Sequence, residues 1–368
     1  MSENEKRFRR NRPLPPGGRG AKRGGSNPLR RLRPGGSNPA RRSRREQSRG
    51  AALLTAMIIV ALIATLASSM IWQQWRAIQV EAAERARTQS AWVLSGALDW
   101  ARLILREDAK TGGTDHLGEP WAVPLAEARL STFLAADKEN TEDAPDAFLS
   151  GSITDAQGRY NLANVVSNGK IDPLELAALQ RLCGTIGLSV DVAARISAGL
   201  RDASPPASPD PSASGASAVA ATPPPANPPL MPRSAAQLAW LGIEPGALQT
   251  LVPYVVMLPE RTFVNVNTAS REVLVAAVDG LDLATAERIV QSRQRVPIKS
   301  KADLQALAPS LPPTSFDLVA IGSNFFEVRG RLRLGDVVLE QRSLVQRRGI
   351  DVVVLQRERV SARDGVGS

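Results

Sequence analysis

An uninterrupted apolar segment near the N-terminus constrains the fold of this chain more than any other feature. Residues 51–72 (AALLTAMIIVALIATLASSMIW) carry no charged side chain. An α-helix rises about 1.5 Å per residue, so this segment makes a helix of about 33 Å, which is long enough to cross the hydrocarbon core of a bilayer. Because soluble helices rarely run so far without a polar face, the segment predicts a transmembrane helix.

The charged residues around this segment predict its orientation. Arginines precede it, the last being Arg49, whereas Arg76 is soon followed by Glu81 and Glu84. Positively charged flanks stay in the cytoplasm, so we expect a cytoplasmic N-terminus and an exported C-terminal part. A cleaved secretory signal is the competing interpretation. Its apolar core, however, spans only about 7–15 residues and ends in a small-residue cleavage site.

Most of the excess positive charge lies in a basic leader, residues 1–50. The formal net charge is +10, and the leader holds 16 of the 46 Lys and Arg residues but only three of the 36 acidic ones. It is also rich in Pro, Gly and Ser, so it has little to bury and we expect it to be disordered. Its arginines would be attracted to anionic membrane lipid by about 1 kcal/mol each. The rest of the chain is slightly acidic, so no nucleic acid is expected as a partner.

The helical pattern continues beyond the apolar segment. Apolar residues recur at helical spacing at Leu94, Leu98, Ala101 and Leu105. We therefore expect one helix from about Ala51 to Glu107. Its second half, residues 73–110, would pack on an exported head.

Residues that usually carry chemistry are scarce. The chain has one histidine, His116, and one cysteine, Cys183, which excludes an internal disulfide and the usual zinc sites. No set of acid, base and nucleophile is present for an exported hydrolase, so we expect no enzyme, no cofactor and no metal. An acidic loop at residues 137–146 has ligands suited to calcium, but it lacks the EF-hand spacing, and a solvated charge run is the favoured interpretation.

The junction between leader and apolar segment resembles a known processing site. Arg49 and Gly50 are followed by AALLTAMIIVALIATLAS, which is similar to the prepilin peptidase site and N-terminal helix of type IV pilins and type II secretion pseudopilins. The resemblance implies cleavage after Gly50, so that Ala51 becomes the mature N-terminus and is N-methylated.

The fifth residue of the mature chain departs from that pattern. Most members of the superfamily have Glu there, whereas this chain has Thr55. A carboxylate in an apolar helix bundle is costly unless the N-terminal ammonium of a neighbouring subunit pairs with it. A subunit with no neighbour above it has no such partner, so Thr55 favours a position at the filament tip.

With its large insert, the chain resembles the minor pseudopilin K family, also called general secretion pathway protein K. The resemblance implies an α+β pseudopilin fold, in which a long N-terminal transmembrane helix packs on an antiparallel sheet. The sheet would carry a large all-helical insert with SAM-like or helix-hairpin-helix modules. The expected role is a minor pseudopilin of the type II protein secretion system. It would cross the bacterial inner membrane once, have a periplasmic domain, and have the prepilin peptidase, the other minor pseudopilins and the pseudopilus as partners.

Strand patterns occur at both ends of the head. Residues 111–163 combine a loop with a predicted hairpin, and residues 321–358 contain three predicted strands with alternating apolar residues. The separation of the two groups suggests a single antiparallel sheet that carries an insertion, followed by a tail at residues 359–368. The predicted strands are 148–153 and 159–163 in the first group, and 324–334, 337–345 and 351–356 in the second.

A proline-rich linker, residues 203–232, divides the insert into helical modules at 164–202 and 233–320. Asp172 before Pro173 predicts one helix start. Ser300 with Asp303 resembles a capping box that predicts another.

A short pattern is shared by the two modules. GLSVDVAARI begins at Gly187 and GLDLATAERI begins at Gly280, and each predicts a helix after a glycine turn. The second copy also resembles a helix-hairpin-helix unit with its hairpin at Gly280, Leu281 and Asp282, so a membrane-anchored DNA-binding protein is the alternative function. Asp282 would repel a phosphate, which favours a packing role.

Overall fold

One helix, α1, dominates the N-terminal part of the chain. The computed structural model, which describes residues 40–130, 147–204, 228–335 and 337–360, begins α1 at Ala40 and ends it at Thr111. The chain divides into two units, residues 1–77 and 78–368. The expectation that the whole leader is disordered is wrong for its last part, because α1 starts before Gly50. Arg, which is frequent there, is a good helix former, so the helix extends backwards from the apolar segment.

Within its described residues, the head contains one large sheet and three short strand pairs. The five-stranded sheet has the order β1-β2-β9-β10-β11, and all of its pairs are antiparallel. The strands, in chain order, are β1 (Leu125–Arg129), β2 (Ala147–Asp155), β3 (Tyr160–Asn161), β4 (Val166–Ser167), β5 (Lys170–Ile171), β6 (Val255–Val256), β7 (Val264–Asn265), β8 (Val319–Ala320), β9 (Phe325–Leu334), β10 (Val337–Arg348) and β11 (Asp351–Val360).

The pairing of β2 with β9 shows that the sheet is interrupted by an insertion. Gly151 lies opposite Gly330 and Ile153 lies opposite Val328, although these residues are far apart in the sequence. The three predicted C-terminal strands are confirmed as β9, β10 and β11, with β11 continuing to Val360, two residues into the predicted tail.

The predicted hairpin after β2 is wrong. Residues 156–158 form a 3₁₀ turn, and the strand that follows, β3, pairs in parallel with β6 of the insert instead of folding back on β2. Two contacts, one local and one with the insert, explain the change of direction. The Asp155 carboxylate accepts a hydrogen bond from the Gln157 backbone N–H (2.7 Å), and Gly158 packs against Thr268 so closely that a Cβ would lie 2.9 Å from its hydroxyl.

The head half of α1 packs on one face of the sheet, as its spacing predicts. Leu98 and Leu105 are buried in one cluster with Ile153, Phe326 and Val345. A neighbouring cluster of Leu94, Ala147, Leu149 and Leu332 continues the same layer. Burial of these side chains, at about 1.5–3 kcal/mol each, holds the helix on the sheet.

The insert has a helical core of its own. A single apolar cluster joins helices on both sides of the linker, with Leu179, Ile196, Leu274 and Ile289 fully buried. Residues 205–227 of the linker and the whole acidic loop at 137–146 lie outside the described residues. The helices are α2 (Pro173–Thr185), α3 (Val190–Ala203), α4 (Pro245–Leu251), α5 (Arg271–Ala277), α6 (Leu283–Arg295) and α7 (Lys301–Leu307).

Candidate functional site

The predicted processing junction lies within α1 on an open surface. Gly50 is exposed, and a Cβ placed on it would meet no atom within 4 Å. The backbone on either side of the Gly50–Ala51 bond is helical. The described fold therefore does not require a glycine at position 50. Recognition by another protein would be a separate reason for a glycine here.

Thr55 satisfies its hydroxyl within its own helix. The Thr55 Oγ1 donates a hydrogen bond of 2.8 Å to the backbone carbonyl of Ala51, one turn earlier. A side chain that is already paired in this way adds little to the cost of placing the helix in an apolar environment. Thr55 therefore needs no partner from a second chain.

The N-terminal unit exposes an apolar helix surface. α1 contains an 18-residue window of mean hydropathy 2.4 that is wholly exposed, long and apolar enough to span a membrane. At the C-terminal end of the apolar segment, Trp72 and Trp75 are exposed and the Arg76 guanidinium lies 5.0 Å from the centre of the Trp72 ring. Aromatic and basic residues at this position are typical of a membrane–water interface.

In the head, a buried aspartate joins the sheet to the insert. Oδ2 of Asp155, the last residue of β2, accepts hydrogen bonds from Asn265 Nδ2 (2.8 Å), Thr268 Oγ1 (2.6 Å) and Ser323 Oγ (2.6 Å). Burial raises the pKa of the Asp155 carboxyl, and these donors oppose that rise. The network fixes the end of β2 against the insert, through Asn265 and Thr268, and against the segment that returns from it, through Ser323.

A second polar group ties α1 to the same place. Arg347 on β10 donates to Asp108 Oδ2 at the end of α1 (2.7 Å), to Asp115 Oδ2 in the loop that follows (2.6 Å), and to the Ser323 carbonyl (2.6 Å). The pKa of Asp108 is raised from 3.8 to about 6, because burial and the nearby Glu119 and Asp115 carboxylates outweigh the Arg347 charge. Three separate parts of the head therefore meet at one guanidinium.

Among the described residues, one carboxylate cluster has the geometry to hold a metal ion. Carboxylate oxygens of Asp108, Asp115 and Glu119 lie within 4.8 Å of one another. Arg347 already supplies positive charge to two of them, and Glu119 Oε2 accepts from the Trp121 indole N–H (2.7 Å). A cation here would have to compete with these bonds.

Two models of one protein family match the head. Residues 158–260 and residues 264–318 each match a model described as type II secretion system protein K. Together they cover the insert.

Curated relatives extend the match over most of the chain. Type II secretion system protein K of Pseudomonas aeruginosa is 29% identical over 336 residues, which cover 87% of this chain and 93% of the relative. The proteins of the same name from Pectobacterium carotovorum and Klebsiella pneumoniae are also 29% identical and cover 85% and 84% of this chain. The resemblance to the type II secretion system protein K family is therefore confirmed.

The protein K fold is also found in a solved structure. A chain in the crystal structure of the GspK-GspI-GspJ complex from enterotoxigenic Escherichia coli matches 76% of this chain over 99% of its own length, with a TM-score of 0.52 and 18% identity. The shared architecture combines helix and sheet, and this chain has a long apolar N-terminal helix. Together with the family models and the curated relatives, this match supports the role of a minor pseudopilin in type II secretion.

The hairpin at 280–282 serves local structure. Gly280 has a φ of 78°, Leu281 is buried, and Asp282 caps α6 by accepting from the Thr285 N–H (2.9 Å) and hydroxyl (2.7 Å). The Thr285 bonds lower the pKa of the Asp282 carboxyl. A negative charge thus occupies the helix N-terminus where a phosphate would have to bind, and the DNA-binding alternative has no support.

Sequence reasoning missed the polar junction of Asp155, Asn265, Ser323 and Arg347. Asp155 lies in the turn between the predicted strands 148–153 and 159–163, and the other three residues stand alone in apolar or basic stretches. Their sequence separations, which reach 110 residues for Asp155 and Asn265 and 168 for Asp155 and Ser323, leave no local pattern. Only the fold brings them together.

Proposed function

We propose that this chain is synthesised as an inner-membrane precursor with a cytoplasmic leader, is cut after Gly50 by a prepilin peptidase, and joins the other minor pseudopilins at the tip of the pseudopilus. One observation carries the proposal: the exposed apolar segment of α1 begins directly after Gly50 in a chain that resembles the protein K family. The peptidase would methylate Ala51, and the head would lie in the periplasm.

Thr55 and the insert both support the tip position. A glutamate at position 55 would need the N-terminal ammonium of another subunit, because an unpaired buried carboxylate is strongly unfavourable. The Thr55 hydroxyl instead bonds to the Ala51 carbonyl of its own helix. The insert adds a second compact layer to the head, which fits poorly beneath another subunit in a tightly wound filament.

We also propose that the chain performs no catalysis itself. Burial raises the pKa of the Cys183 thiol to about 11, so it is not a nucleophile at neutral pH. His116 Nδ1 accepts a hydrogen bond from the Gly118 N–H (3.0 Å). In this proposal, the two helical modules of the insert serve packing. They resemble each other in sequence at GLSVDVAARI and GLDLATAERI.

Replacing Gly50 tests the processing step. Gly50→Leu in the full-length chain, coexpressed with the peptidase, should leave an uncut precursor on an immunoblot, because a large side chain would obstruct the peptidase. Ala61→Leu, which keeps the segment apolar, should be cut normally. Normal processing of Gly50→Leu would reject cleavage after Gly50.

Restoring the glutamate tests the tip position. Thr55→Glu should not improve secretion in cells that depend on this chain, since a tip subunit has no ammonium above it to pair with the carboxylate. A strong gain in secreted protein over the wild type would contradict the tip argument.

A further inference from the structure

A polar cleft lies between the insert and the face of the sheet opposite α1. Its volume is about 400 Å³, and it is lined by residues of β2, β9 and β10 on one side and by residues of the insert on the other. We call this site the arginine cleft, after Arg159, Arg329 and Arg342, which line it together with Glu327.

The strand register places two of these arginines side by side. Arg342 on β10 lies directly opposite Arg329 on β9. Both point away from α1, because their neighbours Val328 and Ser343 are buried on the α1 side of the sheet. Like charges in directly opposite positions destabilise a sheet. Folding alone therefore does not explain why both arginines are present.

The carboxylates on this face do not satisfy all three guanidinium groups. Glu327 accepts a hydrogen bond from Arg159 Nη2 at 2.8 Å, but its other oxygen lies 3.7 Å from Arg342 Nε, which is too far for a hydrogen bond. Arg342 Nε is buried and has no hydrogen-bond partner among the described residues. A buried charged donor without an acceptor is costly, and it often marks a place where an ion or a ligand supplies the acceptor.

The arginines of the cleft outnumber the carboxylates that pair with them. Three arginines share two carboxylates, those of Glu327 and Glu340. Glu358, opposite Arg342 on β11, does not line the cleft. The Asp155 carboxylate, at the edge of the cleft, accepts its hydrogen bonds from neutral groups. A water molecule could accept from a guanidinium group, but it would not balance this charge.

A carboxylate is the ligand that fits this charge and geometry. A guanidinium group presents its N–H donors in a planar fork that matches a carboxylate. One surplus positive charge balances one carboxylate, whereas a phosphate dianion would bring two negative charges next to Glu327. The side chains of Arg329 and Arg342 are 51% and 38% exposed, so a ligand can reach both. The cleft also has room for the molecule that carries the carboxylate, since small-molecule sites have volumes of about 300–1,000 Å³.

We propose that the arginine cleft binds a carboxylate group between the guanidinium groups of Arg329 and Arg342. The negative charge placed there would offset the repulsion between these two arginines. A free small carboxylic acid and an acidic side chain of another polypeptide bring the same group, and the titrations below distinguish these two sources. The site lies in the head and does not depend on cleavage after Gly50 or on the tip position.

Isothermal titration calorimetry of the full-length chain in detergent, at low ionic strength, tests the site. The chain is titrated separately with succinate, with a Gly-Glu-Gly-Glu-Gly peptide whose ends are blocked, with the same peptide containing Gln in place of Glu, and with inorganic phosphate. Arg342→Gln is the test variant. Arg331→Gln is the matched control, because Arg331 is exposed on the same face of β9 and does not line the cleft.

We expect Arg342→Gln to weaken binding of the carboxylate ligand about tenfold, because one of its two guanidinium partners is lost. Arg331→Gln should weaken it by less than about twofold, as expected for a change in surface charge alone. The basic leader is the same in every variant, so its attraction for anions cancels in the comparison. Arg342→Gln removes one of two facing like charges, so the head should stay folded, and thermal unfolding of each variant checks this.

The identity of the tighter ligand gives the source of the carboxylate. Tighter binding of the glutamate peptide supports a polypeptide partner, and equal or tighter binding of succinate supports a small acid. The site is wrong if neither ligand binds, if the glutamine peptide binds as well as the glutamate peptide, or if phosphate binds more tightly than both carboxylate ligands. Equal losses in Arg342→Gln and Arg331→Gln would also overturn it. The proposed function stands in each of these cases, because none of its support involves the arginine cleft.

Discussion

Arg347 is the residue on which the arrangement of the head depends most. Its guanidinium, only 12% exposed, contacts Asp108, Asp115 and the Ser323 carbonyl, and its centre lies 5.1 Å from that of the Phe326 ring. These contacts belong to the end of α1, the loop after it and the segment that returns from the insert. Removing the guanidinium would leave two poorly exposed carboxylates without their cation.

We predict that Arg347→Ala lowers the free energy of unfolding by about 3–5 kcal/mol, the cost of breaking a buried ion pair on one side. Urea denaturation of the mature chain in detergent measures it. Arg333→Ala is the control, because Arg333 and Glu127 are 43% and 48% exposed, and an exposed pair contributes about 0–1 kcal/mol. Equal effects of the two changes would contradict the role given to Arg347.

Asp108 makes the stability of the head depend on pH. Its pKa in the folded protein, about 6, lies above the value of 3.8 for an unperturbed carboxyl, so protonation favours the folded state. The stability from this group is complete below pH 3.8 and is lost as the pH rises through about 6.

We therefore predict that Asp108→Asn becomes more stable relative to the wild type as the pH rises from about 4 to 6. The amide cannot ionise, so it escapes the loss that the carboxyl suffers. Urea denaturation at a series of pH values measures the difference. A difference that stays constant, or that changes in the opposite direction, would show that the pKa of Asp108 is not raised.

At the scale of the elements, helix starts follow from local chemistry. Ser189, Asp282 and Ser300 each accept a hydrogen bond from a backbone N–H in the first turn of the helix that they precede. Gly187 and Gly280 have φ values of 79° and 78°, so the two similar segments share a glycine turn, a capping side chain and a helix.

We predict that Ser300→Ala destabilises the head by about 1 kcal/mol, because the Asp303 N–H loses its acceptor at 3.1 Å. Ser300→Asn, which retains a capping oxygen, should remain close to the wild type in thermal unfolding. If both variants unfold at the wild-type temperature, the cap contributes nothing to stability.

The elements that sequence reasoning predicted are those with a local cause. The spacing of Leu94 and Leu98 identified the buried face of α1, and alternation in Val328 and Leu332 identified β9. The prediction of a hairpin after β2 was wrong because β3 pairs with β6. The residues of β6 are distant in the sequence, and a pattern of neighbouring residues carries no information about them. The contacts of Arg347 escaped notice for the same reason, since Asp108 is 239 residues away.

At the scale of the whole molecule, the apolar surface of the N-terminal unit requires something outside the chain. The segment after Gly50 exposes side chains such as Leu53, Ile58 and Leu62 over more than half of their area, which water does not favour. In the proposed function, a bilayer and later a bundle of similar helices would cover this surface.

The mass of the intact mature chain is the most direct test of cleavage after Gly50. The chain is purified from the membrane of cells that contain the prepilin peptidase and the other minor pseudopilins, and its mass is measured. Processing after Gly50 predicts a polypeptide that begins at Ala51 and carries one added methyl group on this residue. A chain that retains its leader, or that begins at any other residue, would contradict it.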